Sequence, residues 1–347
     1  MIFVGGVPFQ AEEPSSSSEG SKILIALMDH PILSAASCTF NSIPERKFSA
    51  SEGATGERVA ACKWVYVFQR EYATVDPSLV DLAGTDETTT CVGMIIRNCK
   101  SGMTSIAHLD SPSIVDVGLS QMLTSVVDPN SDDILDVHLI GGFDDSSPQH
   151  MENTVTSRIK NKGYSFPLCA KIVEVLEKSS KKFHLQTLHV LENNTWKDSE
   201  GGAYPIFTGF LVNPSTGSVT PASFDGTSRC PDELVRMNRV TAAYEDPNWN
   251  GRLLETYDTK TDRFVIAPCK WTKRQLHIAI MLQSLSDDEL LLTCSTSPSA
   301  EAPDFVENER RKLAYMIQHP DWKETFPLTQ PRVFERTTSG EWKRLTN

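Results

Sequence analysis

The sequence has no CxxC pair and no paired-histidine spacing. Its eight cysteines, at 38, 62, 91, 99, 169, 230, 269 and 294, are scattered along the chain. Neither a zinc module nor a disulfide scaffold is expected from that distribution. It fits a reducing compartment, the cytoplasm or the nucleus. Positive charge is in deficit: 33 Lys and Arg stand against 45 Asp and Glu, a formal net charge of −12. A nucleic-acid role is therefore not expected, and an acidic surface instead favours a cationic partner. The basic cluster at residues 178–182 reads as a solvated helix end. No apolar run approaches the length of a membrane span, so no membrane partner is expected. The opening Met1-Ile2-Phe3-Val4-Gly5-Gly6 lacks the basic region and apolar core of a signal peptide. Without such a signal, the glycosylation-like Asn193-Asn194-Thr195 reads as coincidence. There is no internal repeat, no Walker loop, no GxGxxG and no HExxH.

What is present is concentrated in residues 84–110. A polar run, Gly84-Thr85-Asp86-Glu87-Thr88-Thr89-Thr90, ends in Cys91. The apolar run Val92 to Ile96 follows, then Asn98-Cys99-Lys100-Ser101-Gly102, then a second apolar run ending in His108-Leu109-Asp110. The pattern predicts two strands joined by a tight turn, with a thiol on one and an imidazole on the other. Such a pair suits nucleophilic catalysis. The thiolate attacks, and the histidine takes the thiol proton and later returns a proton to the leaving group. Thr85 and the threonines before Cys91 are candidates for holding the imidazole or an oxyanion. On the local pattern alone, the plainer reading of a buried cysteine and a satisfied core histidine is the more usual one.

The rest of the chain supplies a scaffold. Residues 64–68 read as a strand beside the Cys91 strand, with 76–86 as a connecting loop, and Glu71 follows it. Glu71 is a candidate near the site or a solvated strand-end carboxylate. Helices are expected over 113–127, 151–160, 167–181, 233–244 and 305–317. In the third of these, Cys169, Ile172, Val173 and Leu176 share one face, so Cys169 reads as core. Strands are expected over 134–140, 184–190, 206–212 and 219–224, and hairpins over 253–268 and 332–342. Gly141 and Gly142 close one strand, as a ligand-facing turn or an ordinary one. Residues 22–30 suggest one or two helical turns between mobile loops near 11–22 and 43–60. The whole predicts a single mixed α+β domain, largely hairpin-connected.

Thr85, five residues, Cys91, and then Ala107-His108 resemble the signature of the bacterial chemoreceptor glutamine deamidases. They also resemble the wider cytotoxic necrotizing factor and YfiH-like cysteine hydrolases. A resemblance covering most of the chain is to the N-terminal asparagine amidohydrolases. It rests on Val67-Phe68-Gln69-Arg70-Glu71, Thr89-Thr90-Cys91, His108-Leu109-Asp110 and the run from Val137 to Phe143 through Gly141-Gly142. Ala222-Ser223-Phe224, Ser295-Thr296-Ser297-Pro298 with Glu301, and Phe305-Val306-Glu307 complete it in family order. Extra residues stand near 11–60 and 157–170.

The resemblance implies a layered α-β-β sandwich with mostly antiparallel sheets. It implies Cys91 as nucleophile and His108 as base, and leaves the third position to Thr85 or Ser297. Thr90, Asp110, Gly141, Gly142, Ser297 and Glu71 are the candidate substrate-binding residues. Glu301, Asp144 and Asp145 are candidates for gripping a substrate ammonium. It implies no cofactor and no metal, a monomer, and protein or peptide substrates with a free N-terminal asparagine. The product aspartate would feed the N-degron degradation pathway. Two other functions stay open: deamidation of internal side chains in folded proteins, and N-terminal-residue binding without turnover.

Overall fold

The computed structural model describes residues 1–10, 19–50, 62–128, 132–146, 163–338 and 340–345. Its strands are β1 (Ile2–Val4), β2 (Val7–Pro8), β3 (Arg46–Phe48), β4 (Trp64–Tyr66), β5 (Glu71–Val75) and β6 (Leu82–Thr85). Next come β7 (Val92–Asn98), β8 (Thr104–Leu109), β9 (Ile134–Phe143), β10 (Lys182–Leu191), β11 (Thr195–Lys197) and β12 (Ala203–Pro205). The last are β13 (Phe210–Val212), β14 (Val219–Phe224), β15 (Leu254–Asp258), β16 (Arg263–Ile266), β17 (Arg332–Arg336) and β18 (Trp342–Arg344). The helices are α1 (Glu19–Met28), α2 (Pro31–Asn41), α3 (Val115–Leu123), α4 (Ser165–Lys178) and α5 (Glu233–Ala243). They continue with α6 (Lys273–Gln283), α7 (Asp287–Cys294), α8 (Phe305–Gln318) and α9 (Trp322–Thr325).

Two sheets dominate. The larger runs β18-β17-β16-β15-β5-β8-β7-β9-β10-β1-β2, and the smaller runs β3-β14-β13-β6-β4. Both are mixed. β7 pairs antiparallel with β8 and β9, whereas β9–β10, β10–β1, β5–β15, β3–β14 and β4–β6 are parallel.

Strand alternation decides the layers, because successive side chains point to opposite faces. On β7, Val92, Met94 and Ile96 join a core with Leu24 of α1, Leu119 of α3 and Ile172 of α4. Ile95 points the other way, into a second core with Phe210 and Val212 of the small sheet and with α5, α6 and α8. The order through this region is therefore helices, large sheet, small sheet. It is a mixed α+β arrangement.

The structure corrects several expectations. The strand at 64–68 does not neighbour the Cys91 strand. β4 lies in the small sheet, parallel to β6, and β7 lies in the large one. Residues 76–86 are not merely a loop, since β6 lies within them. The three residues of β4 are buried on both faces, as parallel strands usually are, so no alternation marked the sheet they belong to. Near the N-terminus, 19–22 are helical and 46–48 form β3, so the expected mobile loops are shorter. Of the remainder, 11–18 and 51–60 lie outside the described residues. Two helices, not one or two turns, occupy this stretch. Pro31 starts the second, at a position where its missing N–H costs nothing. Helix α6 was not anticipated, although its capping box, Thr272 with Gln275, was readable. The helix expected over 151–160 lies outside the described residues. Finally, β9 does not stop before Gly141 but continues through both glycines to Phe143.

Candidate active site

Thr85 is the last residue of β6 in the small sheet, and Val92 is the first of β7 in the large one. The six-residue step from Thr85 to Cys91 is therefore the crossing between two packed sheets, which lie about 10 Å apart in such layers. On the far side, β7 and β8 form the expected hairpin, with Gly93 opposite His108. His108 points at the small sheet, where its Nδ1 lies 2.9 Å from Thr85 Oγ1. This hydrogen bond joins the two layers. Gly93 lacks a side chain for a reason: a Cβ there would stand 2.4 Å from the Phe210 ring.

The crossing loop is pinned along its length. The N–H groups of Gly142 and Phe143 donate to the carbonyls of Thr88 and Thr89, at 3.1 and 3.0 Å. Thr88 N–H and hydroxyl both donate to the Thr208 carbonyl at 2.8 Å. The buried Asp86 carboxylate accepts from Tyr66 Oη, Phe224 N–H and Arg229 Nη2, at 2.7, 2.8 and 3.1 Å. Thr90 Oγ1 lies 2.8 Å from Thr296 Oγ1, which ties the loop to the segment after α7. Cys91 is thus presented from a fixed turn at the mouth of a strand.

Cys91, His108 and Thr90 line one cleft of about 480 Å³, together with Glu87, Tyr244 and Glu301. Burial pushes the Cys91 thiol well above its ordinary range, and the Asp110 and Glu301 carboxylates add to that. Burial also lowers His108 to about 4, against a weaker opposing pull from Asp110. At neutral pH the pair is a thiol and a neutral imidazole. In the Nδ1–H tautomer of His108, Thr85 Oγ1 accepts from the ring and has the Asp86 carbonyl 3.4 Å away for its own proton, which leaves Nε2 as the acceptor. Nε2 is buried and has no protein hydrogen-bond partner among the described residues.

The other sequence candidates fall in different places. The Asp110 side chain is 1 % exposed and does not line the cleft; its carboxylate is bonded to Arg70. Glu71 does not line the cleft, and it is not solvated. It is fully buried in an ion pair with Arg236, 2.7 Å away, and it caps the Phe68 N–H at 2.9 Å. Gly141 and Gly142 face the Cys91 loop and not the cleft. Their φ angles of +110° and +55°, and the 2.4 Å approach of Thr88 Oγ1 to a Cβ at Gly141, explain why glycine stands there. Ser297 is buried and donates to Glu301 Oε1 at 3.5 Å, beside Ser295, which bonds the same oxygen. The partner of His108 Nδ1 is Thr85, not Ser297. Asp145 caps the start of α4 through Tyr164 and Ser165 N–H groups, and Asp144 accepts from Ser146. Neither lines the cleft.

Two wall residues were not singled out from the sequence. Glu87 has a left-handed backbone, with φ of +60°, and is paired with Arg229 at 2.6 Å. Burial and then Asp86 push it up to about 8. Tyr244 comes from the end of α5, and its place beside Cys91 depends on tertiary packing alone. Among the described residues, no group of three His, Cys, Asp or Glu side chains is arranged to hold a metal ion.

The family model described as protein N-terminal asparagine amidohydrolase matches residues 54–344. A protein N-terminal asparagine amidohydrolase of Arabidopsis thaliana is 53% identical over 348 residues, covering 99% of this chain and 100% of that relative. The proteins of that name from Mus musculus and Homo sapiens are 29% and 28% identical over 308 residues. Each match covers 87% of this chain and 91% of the relative. The family match spans the crossing loop, the hairpin and every wall of the cleft, and on it the chain belongs to the protein N-terminal asparagine amidohydrolase family.

Proposed function

We propose that the protein hydrolyses the side-chain amide of an N-terminal asparagine, releasing ammonia and leaving aspartate, with Cys91 as the nucleophile. The observation that carries this is the pairing in one cleft of the Cys91 thiol with a histidine whose Nδ1 is held and whose Nε2 is bare. His108 Nε2 takes the thiol proton as sulfur bonds to the amide carbon. Backbone N–H groups of the loop at Cys91 hold the oxyanion, a term worth roughly 3 kcal/mol of barrier per donor. The C–N bond then breaks, and His108 passes its proton to the departing nitrogen as ammonia forms. A thioester is left. His108 next takes a proton from water, the hydroxide adds to the thioester, and the proton returns to the Cys91 sulfur as the acid is released.

The free α-amine is read by Glu301. It lines the cleft and lies close enough to the thiol to oppose its ionisation. Ser295 and Ser297 hold its Oε1, which fixes the carboxylate for an ammonium. Rejecting glutamine asks more of the site, because an extra methylene is worth only about 1–3 kcal/mol in a simple pocket. On this reading the helix–sheet–sheet order is the layered fold of the cysteine hydrolases named above. The new aspartate enters the N-degron pathway in the cytoplasm or nucleus.

Mass spectrometry of an Asn-initiated peptide incubated with wild type and with Cys91→Ala tests the proposal. Conversion of amide to acid by wild type alone is expected, with Gln-initiated and acetylated Asn peptides left intact. Turnover by Cys91→Ala would remove the nucleophile. Turnover of the acetylated peptide would remove the amine requirement and favour an internal deamidase.

A further inference from the structure

One buried charge cluster beside the cleft has no part in the steps above. Asp110 follows the last residue of β8. Leu109 pairs with Val92 and His108 with Gly93, so the next step of the ladder sets Asp110 across from Cys91. Its carboxylate is held on three sides. Arg70 donates from Nε at 3.0 Å and from Nη2 at 3.3 Å, Tyr244 Oη donates at 2.7 Å, and Gln69 Nε2 donates at 3.4 Å.

Arg70 is itself 2 % exposed and has a φ of +63°, a conformation that costs a non-glycine residue energy. Its N–H donates to the His108 carbonyl at 2.9 Å, and its carbonyl accepts from Leu254 N–H at 2.9 Å. Its guanidinium lies 3.8 Å from the centre of the Tyr244 ring. The backbone strain, the bond to the His108 peptide and the ring stacking all serve to deliver one cation to one carboxylate.

A buried carboxylate facing a thiol opposes formation of the thiolate and favours an imidazolium nearby. The other acids and bases lining the cleft are Asp86, Glu87, Glu245, Glu301, Glu309, Lys312 and His108, with Lys312 paired to Glu309. Glu301 joins Asp110 in opposing the thiolate, and the guanidinium bonded to Asp110 offsets them.

We propose that Arg70 and Asp110, closed over by Tyr244, form a positioning pair for the reaction centre: the carboxylate anchors the end of β8 that carries His108, and the guanidinium cancels its charge where it faces the thiol. The proposal rests on Cys91 being the nucleophile. It assigns Arg70 a reactivity role that a mere structural ion pair would not have. Without the guanidinium, the uncompensated carboxylate makes the thiol harder to ionise and His108 easier to protonate. With Asp110 neutral and Arg70 retained, both effects reverse.

The test is site-resolved alkylation of the full chain with iodoacetamide, read at Cys91 by peptide mapping across pH, alongside the pH profile of kcat/KM. Arg70→Met is expected to slow Cys91 alkylation about tenfold at fixed pH and to move the acid limb of kcat/KM upward. Asp110→Asn is expected to speed alkylation about tenfold and to move that limb downward. The double variant should lie near wild type. If Arg70→Met does not fold, Tyr244→Phe serves in its place. It keeps the ring, removes one donor from Asp110, and should slow alkylation about two- to threefold. Changes of the same sign in Asp110→Asn and either partner variant would overturn the proposal and leave a purely structural pair. Opposite alkylation shifts with deamidation unmoved, and retained by Cys91→Ala, would overturn the nucleophile reading and this one with it.

Discussion

Which nitrogen of His108 is bare decides what the centre can do. Thr85 Oγ1 holds Nδ1, and in the proposed mechanism the unpartnered Nε2 is the base. Thr85→Ala frees the ring, and kcat is expected to fall roughly ten- to hundredfold with KM little changed. Thr85→Ser keeps the hydroxyl and should restore most of the rate; steady-state kinetics of the two variants would separate orientation from packing. The buried imidazole also sets the pH response. Its pKa is lowered to about 4, so the neutral base persists well below the ordinary histidine range. The kcat/KM of wild type is expected to hold from neutral pH to about 5 and to fall as pH drops through about 4. An acid limb near 6.5 would mean that the base is a solvated histidine. Cys91, His108 and Thr85 were legible as candidates through their spacing and the family resemblance together, and the structure brings His108 and Thr85 into hydrogen-bond contact. The place of Glu71 was not legible, because a carboxylate after a strand gives no local sign of the arginine, 165 positions away, that buries with it.

Among the elements, the β7–β8 hairpin and helices α3, α4, α5 and α8 were readable from periodicity and turn residues. The division of strands between two sheets was not. A short strand buried on both faces, such as β4, has no alternation to say which layer it joins. What secures α5 against β5 is also invisible locally. Arg236 of α5 donates to the Glu71 carboxylate and to the Tyr66 carbonyl, at 2.7 and 2.6 Å, and both charged side chains are fully buried. Breaking one half of such a pair leaves an uncompensated charge in the interior. Glu71→Gln is expected to lower unfolding stability by about 3–5 kcal/mol, read from the urea midpoint, while the Cys91 loop stays pinned by β9. A loss below about 1 kcal/mol would show that water reaches the arginine.

For the whole molecule, acid acts through histidines that the fold keeps neutral. His189 on β10 bonds Ser37 of α2 at 2.7 Å, packs 5.0 Å from the Phe40 ring, and is lowered by burial to about 4. Its folded pKa lies below the unfolded value of about 6.5, so its stabilising term is complete above about 6.5. That term is lost as pH falls towards 4, up to about 3 kcal/mol. Glu87 runs the other way: its raised pKa, about 8, favours the fold at low pH and loses that effect as pH rises through 8. A raw Tm profile mixes the two, so the comparison is between slopes. From pH 7 to pH 4.5, Tm is expected to fall more steeply for wild type than for His189→Gln; equal slopes would show that His189 does not carry the effect. The bond between Thr85 and His108 has a consequence at this same scale. It spans two layers that meet only when the interior is closed, so a chain still assembling holds its thiol and its imidazole without an oriented base. The enzyme is in that sense latent until it is complete, and its turnover serves as a gauge of tertiary closure: in rising denaturant, activity should vanish together with inter-sheet packing and before the hairpin itself is lost.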